Sequence, residues 1–258
     1  GQDGYQCRDA CDPLDPDACS DGYSCDRVSG QNFRTTCFAQ AYLKGRVFDL
    51  STGNGIAGAL VVALDPITAM ATASVETVAT GHYEIPIRVT RTTEGGILSR
   101  NPDANGTLTD QTWSLIASAP AYLPYPSPIT ASIPVTQPAQ TAYSQKLSSP
   151  QTEIGLRKMS NPNASGSAIR GTLGAPVGGA LVVAECQTPP CPHAYTDHQG
   201  NFTIFNVVAG NYEVVAYKKG LYLEPKSVTM ASTDVTGVTL AASTFAGGTV
   251  TGSVNIVN

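Results

Sequence analysis

Apolar residues along the chain fall into short runs separated by turn-forming residues. Examples are Leu43–Phe48, Ala59–Ala63 and His82–Val89, each rich in β-branched or aromatic side chains and bounded by Gly, Pro, Asn or Asp. Runs of roughly four to eight such residues between turn signals predict strands of antiparallel sandwiches. No amphipathic helix of about ten residues emerges; the nearest candidate, Ala69–Ala79, is rich in Thr and Val and so favours a strand. The predicted class is all-β.

The same pattern occurs twice. Ile56–Ala63 matches Val177–Ala184, Lys44–Val47 matches Arg170–Leu173, and Gly81–Ile85 matches Gly200–Ile204. Trp113–Ala117 matches Tyr212–Ala216, and Pro126 falls opposite Pro225. Matched blocks in one order predict two copies of one β domain. The expected division is a disulfide-rich module at 1–40, a first sandwich at 41–159 and a second at 160–245. A single extra strand follows at 246–258. The stretch Ser160–Gly166 has the composition of an exposed connection. The first copy carries an insertion at 91–110 and a proline-rich stretch from Pro120 to Pro138, where prolines exclude a central strand.

Composition narrows the classes of function. The chain has 258 residues, with only 14% charged, six lysines and seven glutamates, against 25 glycines and 18 prolines. Good surface helix formers are scarce, which disfavours bundles and coiled coils. A net charge of −5 argues against nucleic acid, whose binders carry basic patches. No apolar run reaches the roughly 18 residues of a membrane span.

Five of the seven cysteines, Cys7, Cys11, Cys19, Cys25 and Cys37, crowd the first 37 residues. With no histidine before His82 and no CxxC pair, this reads as a disulfide framework of an oxidising, extracellular or cell-surface compartment rather than a zinc site. The pairing stays open, and one of the five is left over. Cys186 and Cys191 flank a Pro-Pro tip and read as a local disulfide. With His193 and His198 they could alternatively hold zinc or copper.

The second copy resembles the carboxypeptidase regulatory-like domain, a transthyretin-like (prealbumin-like) β-sandwich. The carrying residues are Gly171, Pro176–Val183, Thr196-Asp197 to Gly200 and Phe202, Val208–Val214 and Lys219-Gly220. The first copy resembles it more loosely: Ala79-Thr80-Gly81 stands where the second copy has its Thr-Asp turn. The first 40 residues are similar to cysteine-rich modules of secreted bacterial proteins. The resemblance implies two tandem transthyretin-like/Ig-like antiparallel sandwiches, of a kind that is usually non-catalytic and attached to secreted or surface proteins.

The end of the chain, Gly248–Val254, repeats the opening-strand pattern of both copies. A lone strand carrying Val250, Gly252, Val254 and Ile256 exposes unpaired backbone groups. It could complete its own second domain, begin a truncated third, or add to a sheet in a neighbouring copy. Head-to-tail donation makes an open polymer.

Other candidate chemistry is sparse. Asp12, Asp15 and Asp17 offer oxygen ligands to Ca²⁺, but Asp and Pro also make ordinary turns. Asp103 and Asn105 echo a calcium loop that lacks its bidentate Glu. No cofactor is implied. Tyr122 and Tyr125 offer aromatic faces to a sugar, but Tyr222 and Pro225 in the second copy suggest a shared structural turn. No HExxH, GxSxG or P-loop is present, so an enzyme is not expected. Lys44 on an opening strand has no matching acid and Asn for an isopeptide bond. The expected function is a non-enzymatic structural or adhesive element of a cell surface, with filament assembly by strand addition as one form of it. The alternatives are a carbohydrate- or peptide-binding module, with a carbohydrate or surface protein as partner, and accessory domains of a secreted hydrolase.

Overall fold

A computed structural model describes residues 10–12, 18–29, 34–64, 71–98, 100–102, 108–110, 112–126, 134–136, 146–160 and 166–243. Cys7, Asp15, Asp17, Asp103, Asn105 and the whole tail 244–258 lie outside these residues. About half of the described residues lie in strands, and among them the one helical element is a 3-10 turn at Pro150–Thr152, as an all-β chain requires.

The chain opens with a hairpin of β1 (Tyr23–Val28) and β2 (Thr35–Ala39). The first sandwich contains β3 (Ala41–Asp49), β4 (Leu60–Leu64), β5 (Val75–Glu76), β6 (His82–Ile87) and β7 (Thr90–Arg91). It continues with β8 (Arg100–Pro102), β9 (Leu108–Asp110), β10 (Thr112–Ser118), β11 (Pro134–Thr136), β12 (Lys146–Leu147) and β13 (Glu153–Leu156). In one sheet β3 is flanked by antiparallel β6 and by parallel β12 and β13; in the other the order is β11-β10-β4-β5. The small β8–β9 ladder occupies the predicted insertion. Proline-bearing β11 takes an edge, where no N–H of Pro134 is needed.

Burial alternates without a break along β3, and Leu43 and Val47 are fully covered. Ile85 from the same sheet and Val61, Ala63, Leu115 and Ala117 from the facing sheet close one apolar core. Each buried aliphatic side chain of this size stabilises the fold by about 1.5–3 kcal/mol.

The second sandwich contains β14 (Ser167–Thr172), β15 (Leu181–Glu185), β16 (His193–Tyr195), β17 (Asn201–Val207), β18 (Gly210–Tyr217), β19 (Lys226–Met230) and β20 (Val235–Thr239). Its sheets run β17-β14-β20 and β16-β15-β18-β19 around a separate core of Ile169, Val182, Ile204, Val214 and Leu240. Here too the opening strand pairs antiparallel on one side and parallel on the other.

The turn before β6 corrects one expectation. The first copy does carry the threonine of the Thr-Asp turn, at Thr77. Thr77 Oγ1 donates to the Ile56 carbonyl at 2.6 Å and accepts the Ala59 N–H at 2.9 Å. Thr196 makes the same two bonds, to the Val177 carbonyl at 2.7 Å and from the Ala180 N–H at 2.9 Å. Only the aspartate is missing, and exposed Val78 stands in its place. The two threonines stand at the same spacing in the chain, each four residues before the glycine of its turn, Gly81 or Gly200.

Candidate functional site

The parts of the molecule are joined by directional bonds, and one cleft opens where the two sandwiches meet. The first joint fixes the hairpin to the first sandwich. β1 pairs in parallel with β7, at the start of the insertion. Asp26 is fully buried, and its carboxylate accepts Arg91 Nε at 2.6 Å and the Val89 N–H at 3.2 Å. Arg91 also donates to the carbonyls of Gly95 and Ala39 and stacks 5.0 Å over the Phe38 ring. Burial raises the Asp26 carboxyl to about 6, and the Arg91 charge offsets only part of that cost. Nothing in the sequence pointed to this pair, because its members stand 65 positions apart.

Two disulfides, Cys11–Cys25 and Cys19–Cys37, close the hairpin. Cys25 and Cys37 face each other across the ladder, yet each bonds elsewhere. The sulfurs of Cys11, Cys19 and Cys25 lie within 4.8 Å of one another. Oxidised in this way, they offer no thiolate to a metal.

The second joint centres on Asn206. A β-bulge in β17 shifts the register against β14, and Asn206 takes the left-handed conformation at φ 62°. Asn tolerates this region better than most residues, and the bulge turns its side chain out of the ladder. Its Oδ1 accepts the Ala121 N–H at 2.8 Å, while its Nδ2 donates to the carbonyls of Tyr122 at 3.0 Å and Ala119 at 3.3 Å. Two further bonds cross the joint: Ser74 Oγ donates to Asp197 Oδ2 at 3.1 Å, and the His198 N–H donates to the Thr72 carbonyl.

Tyr122 does not present a free aromatic edge. Its hydroxyl donates to Asp49 Oδ2 at 2.9 Å. Hydrogen bonds from the Ser51 side chain, the Ser51 N–H and Tyr122 draw the Asp49 carboxyl down to about 2. The stretch behaves as a turn used in both sandwiches: Leu123 N–H bonds the Arg157 carbonyl, and Glu224 N–H bonds the Ala241 carbonyl. Tyr125 instead lines the cleft.

That cleft has a volume of about 220 Å³ and takes residues from both sandwiches. Leu60, Val62 and Ile116 form its apolar side, and His193 and Tyr195 of β16 face them. A wider groove of about 580 Å³ runs beside Lys44, Glu84 and Glu153. There Glu84 pairs with Lys44 at 3.0 Å and Lys146 at 3.1 Å, so Lys44 is a surface ion-pair partner. Glu213 on β18 of the second sandwich is likewise exposed.

Cys186 and Cys191 are joined as a disulfide, which removes both sulfurs from the zinc or copper alternative. Of the calcium candidates, Asp12 is the one described, and it is exposed.

Residues 193–238, from β16 to β20, match the family described as polysaccharide lyase family 4, domain II. No curated protein matches the chain. Among solved structures, the chain is similar to the shaft pilin SpaA from Lactobacillus rhamnosus GG at 10% identity and a TM-score of 0.32, covering 81% of this chain and 100% of that one. It is similar to a streptococcal ancillary pilin at 12% identity and a TM-score of 0.30, over 86% of this chain and 75% of that one. It is similar to the Bacillus anthracis TIE protein at 8% identity and a TM-score of 0.29, covering 86% of this chain while spanning 39% of that protein.

Proposed function

We propose that the chain is a non-enzymatic structural element of an extracellular surface: a rigid spacer made of a disulfide module at 1–40 and two tandem transthyretin-like domains at 41–159 and 160–245. The observation that carries this reading is the way consecutive parts are joined. Asp26–Arg91 fixes the first joint with buried charge, and the three bonds of Asn206 fix the second. A chain of binding modules on free linkers has no use for such joints, whereas a load-bearing or distance-setting element does.

The shared strand pairings and the shared threonine bonds support descent of both domains from one. The disulfides suit an oxidising exterior. Among the described residues, no helix is long and apolar enough to cross a membrane.

In this reading the spacer extends itself by strand addition, with Val250, Gly252, Val254 and Ile256 of one copy completing a sheet of the next. The experiment has two arms. Small-angle scattering should give one fixed maximum dimension for the intact chain and a broader distribution for Asn206→Ala; identical curves would remove the rigid-spacer reading. Deletion of 246–258 should leave folded monomers and abolish assemblies seen by electron microscopy; unchanged assembly would remove the strand-addition reading alone.

A further inference from the structure

We propose that the cleft between the sandwiches binds one neutral pyranose ring of a glycan. Its floor is the outward face of β4 and β10. Strand alternation points Val61 and Ala63 into the first core, so Leu60 and Val62 point away from it. Val62 is nevertheless only 6% exposed, and it lines a space shared with residues of the second sandwich. The aromatic rings of Tyr125 and Tyr195 also line this space. An apolar floor with aromatic walls suits the C–H face of a sugar ring.

The polar groups select the ligand. His193 Nδ1 lies 3.1 Å from the Cys191 carbonyl, and a carbonyl only accepts, so Nδ1 carries a hydrogen and Nε2 is the ring nitrogen left to meet a ligand. Glu76 adds a carboxylate with no hydrogen-bond partner among the described residues. Arg170 supplies donors; it lies 3.6 Å from Asp234 and stacks 5.6 Å over Phe205, which orients the guanidinium. One carboxylate and one guanidinium in the same small cleft disfavour a simple anion and a simple cation alike. Hydroxyl groups, which both donate and accept, satisfy all three side chains. The volume of about 220 Å³ is below the roughly 300–1,000 Å³ of sites for drug-sized ligands, which limits the occupant to about one ring.

This site does not depend on the spacer or polymer reading, and it is tested separately. The intact chain is titrated by NMR and calorimetry with the methyl glycosides of glucose, galactose and mannose, and with glucuronate and inorganic phosphate. At least one neutral glycoside should bind saturably, with affinity reduced about tenfold or more, the equivalent of ~1.4 kcal/mol, in Tyr195→Ala and in Glu76→Gln. Glu76 is exposed, so its variant tests the site even if Tyr195→Ala fails to fold. Tyr217→Ala, on the same sheet but outside the cleft, should bind as the parent does. Three outcomes overturn the proposal: no saturable binding of any neutral glycoside, tighter binding of glucuronate or phosphate, or full affinity retained in Glu76→Gln.

Discussion

The two sandwiches share a glycine–aromatic contact and a bonded threonine in their interiors, and they differ at the turn that follows the threonine. In the first, Gly45 of β3 lies opposite Tyr83 of β6; in the second, Gly171 of β14 lies opposite Phe202 of β17. A Cβ at Gly45 would sit 2.0 Å from the Thr152 carbonyl oxygen, and one at Gly171 2.0 Å from that of Val238. In both cases an aromatic ring and a backbone carbonyl, that of Thr152 just before β13 or of Val238 in β20, together fill the space a Cβ would need. Tyr83 adds a hydroxyl bond to the Thr152 carbonyl at 2.7 Å, and burial raises its pKa. The threonine bonds of Thr77 and Thr196 are likewise retained.

The turn that follows is where they part. Asp197 accepts the N–H groups of Gln199 and Asn201 and the hydroxyl of Ser74 in the other sandwich. Val78 does none of this and is 59% exposed. The comparison separates what the sandwich needs from what the joint needs. The glycine–aromatic pair and the threonine are conditions of folding in both sandwiches, whereas the aspartate stabilises a turn and a contact that only one of them makes.

The comparison can be broken most severely at the first joint, which the second sandwich does not share. Asp26→Ala leaves the Arg91 guanidinium buried without its partner and should cost about 3–5 kcal/mol. Hydrogen exchange should place the loss in the hairpin and first sandwich; an equal loss in the second would show one cooperative unit. The same joint should respond to pH. Asp26 binds its proton more tightly folded, near 6, than at the ordinary value of 3.8. Its contribution is therefore full below about pH 4 and declines as pH rises through 6. Melting curves of the parent should show this decline, and those of Asp26→Asn should lack it.

A finer comparison comes from Thr77→Val and Thr196→Val. Each strands a buried N–H and should cost about 1–3 kcal/mol by denaturant titration. Equal losses are expected, and a marked inequality would mean that the two threonines do different work. Moving the differing residue is milder still. Val78→Asp should let the first sandwich form the turn bonds of Asp197 and gain about 1 kcal/mol. Loss of stability instead would mean that the two turns are not equivalent. The smallest effect is expected at Glu84→Gln, whose exposed pairs with Lys44 and Lys146 are screened by solvent, so melting with and without added salt should barely separate it from the parent.

The class of fold was open to reading because its signals are local. Period-two alternation at Leu43, Val47, Leu115 and Ala117 dictates which face of a strand is buried, whatever it packs against. Gly45 with Tyr83 and Gly171 with Phe202 could be matched as corresponding positions before their contact was known. The proline of β11 announced an edge. Thr77 was missed because its function shows only when two distant turns are superposed. Tyr122 was singled out for its ring, but its hydroxyl serves Asp49.

By itself, then, the sequence determined the strands, their buried faces, the repeated pattern and the crowding of cysteines, all of which follow from neighbouring residues. The tertiary structure alone decided that Cys25 bonds Cys11 and Cys37 bonds Cys19, that Asp26 meets Arg91, and that His193 and Glu76 open onto one cleft. These are meetings of residues remote in the chain. Whether such groups come together depends on how finished sheets pack, and a linear pattern of polar and apolar positions does not encode that distance.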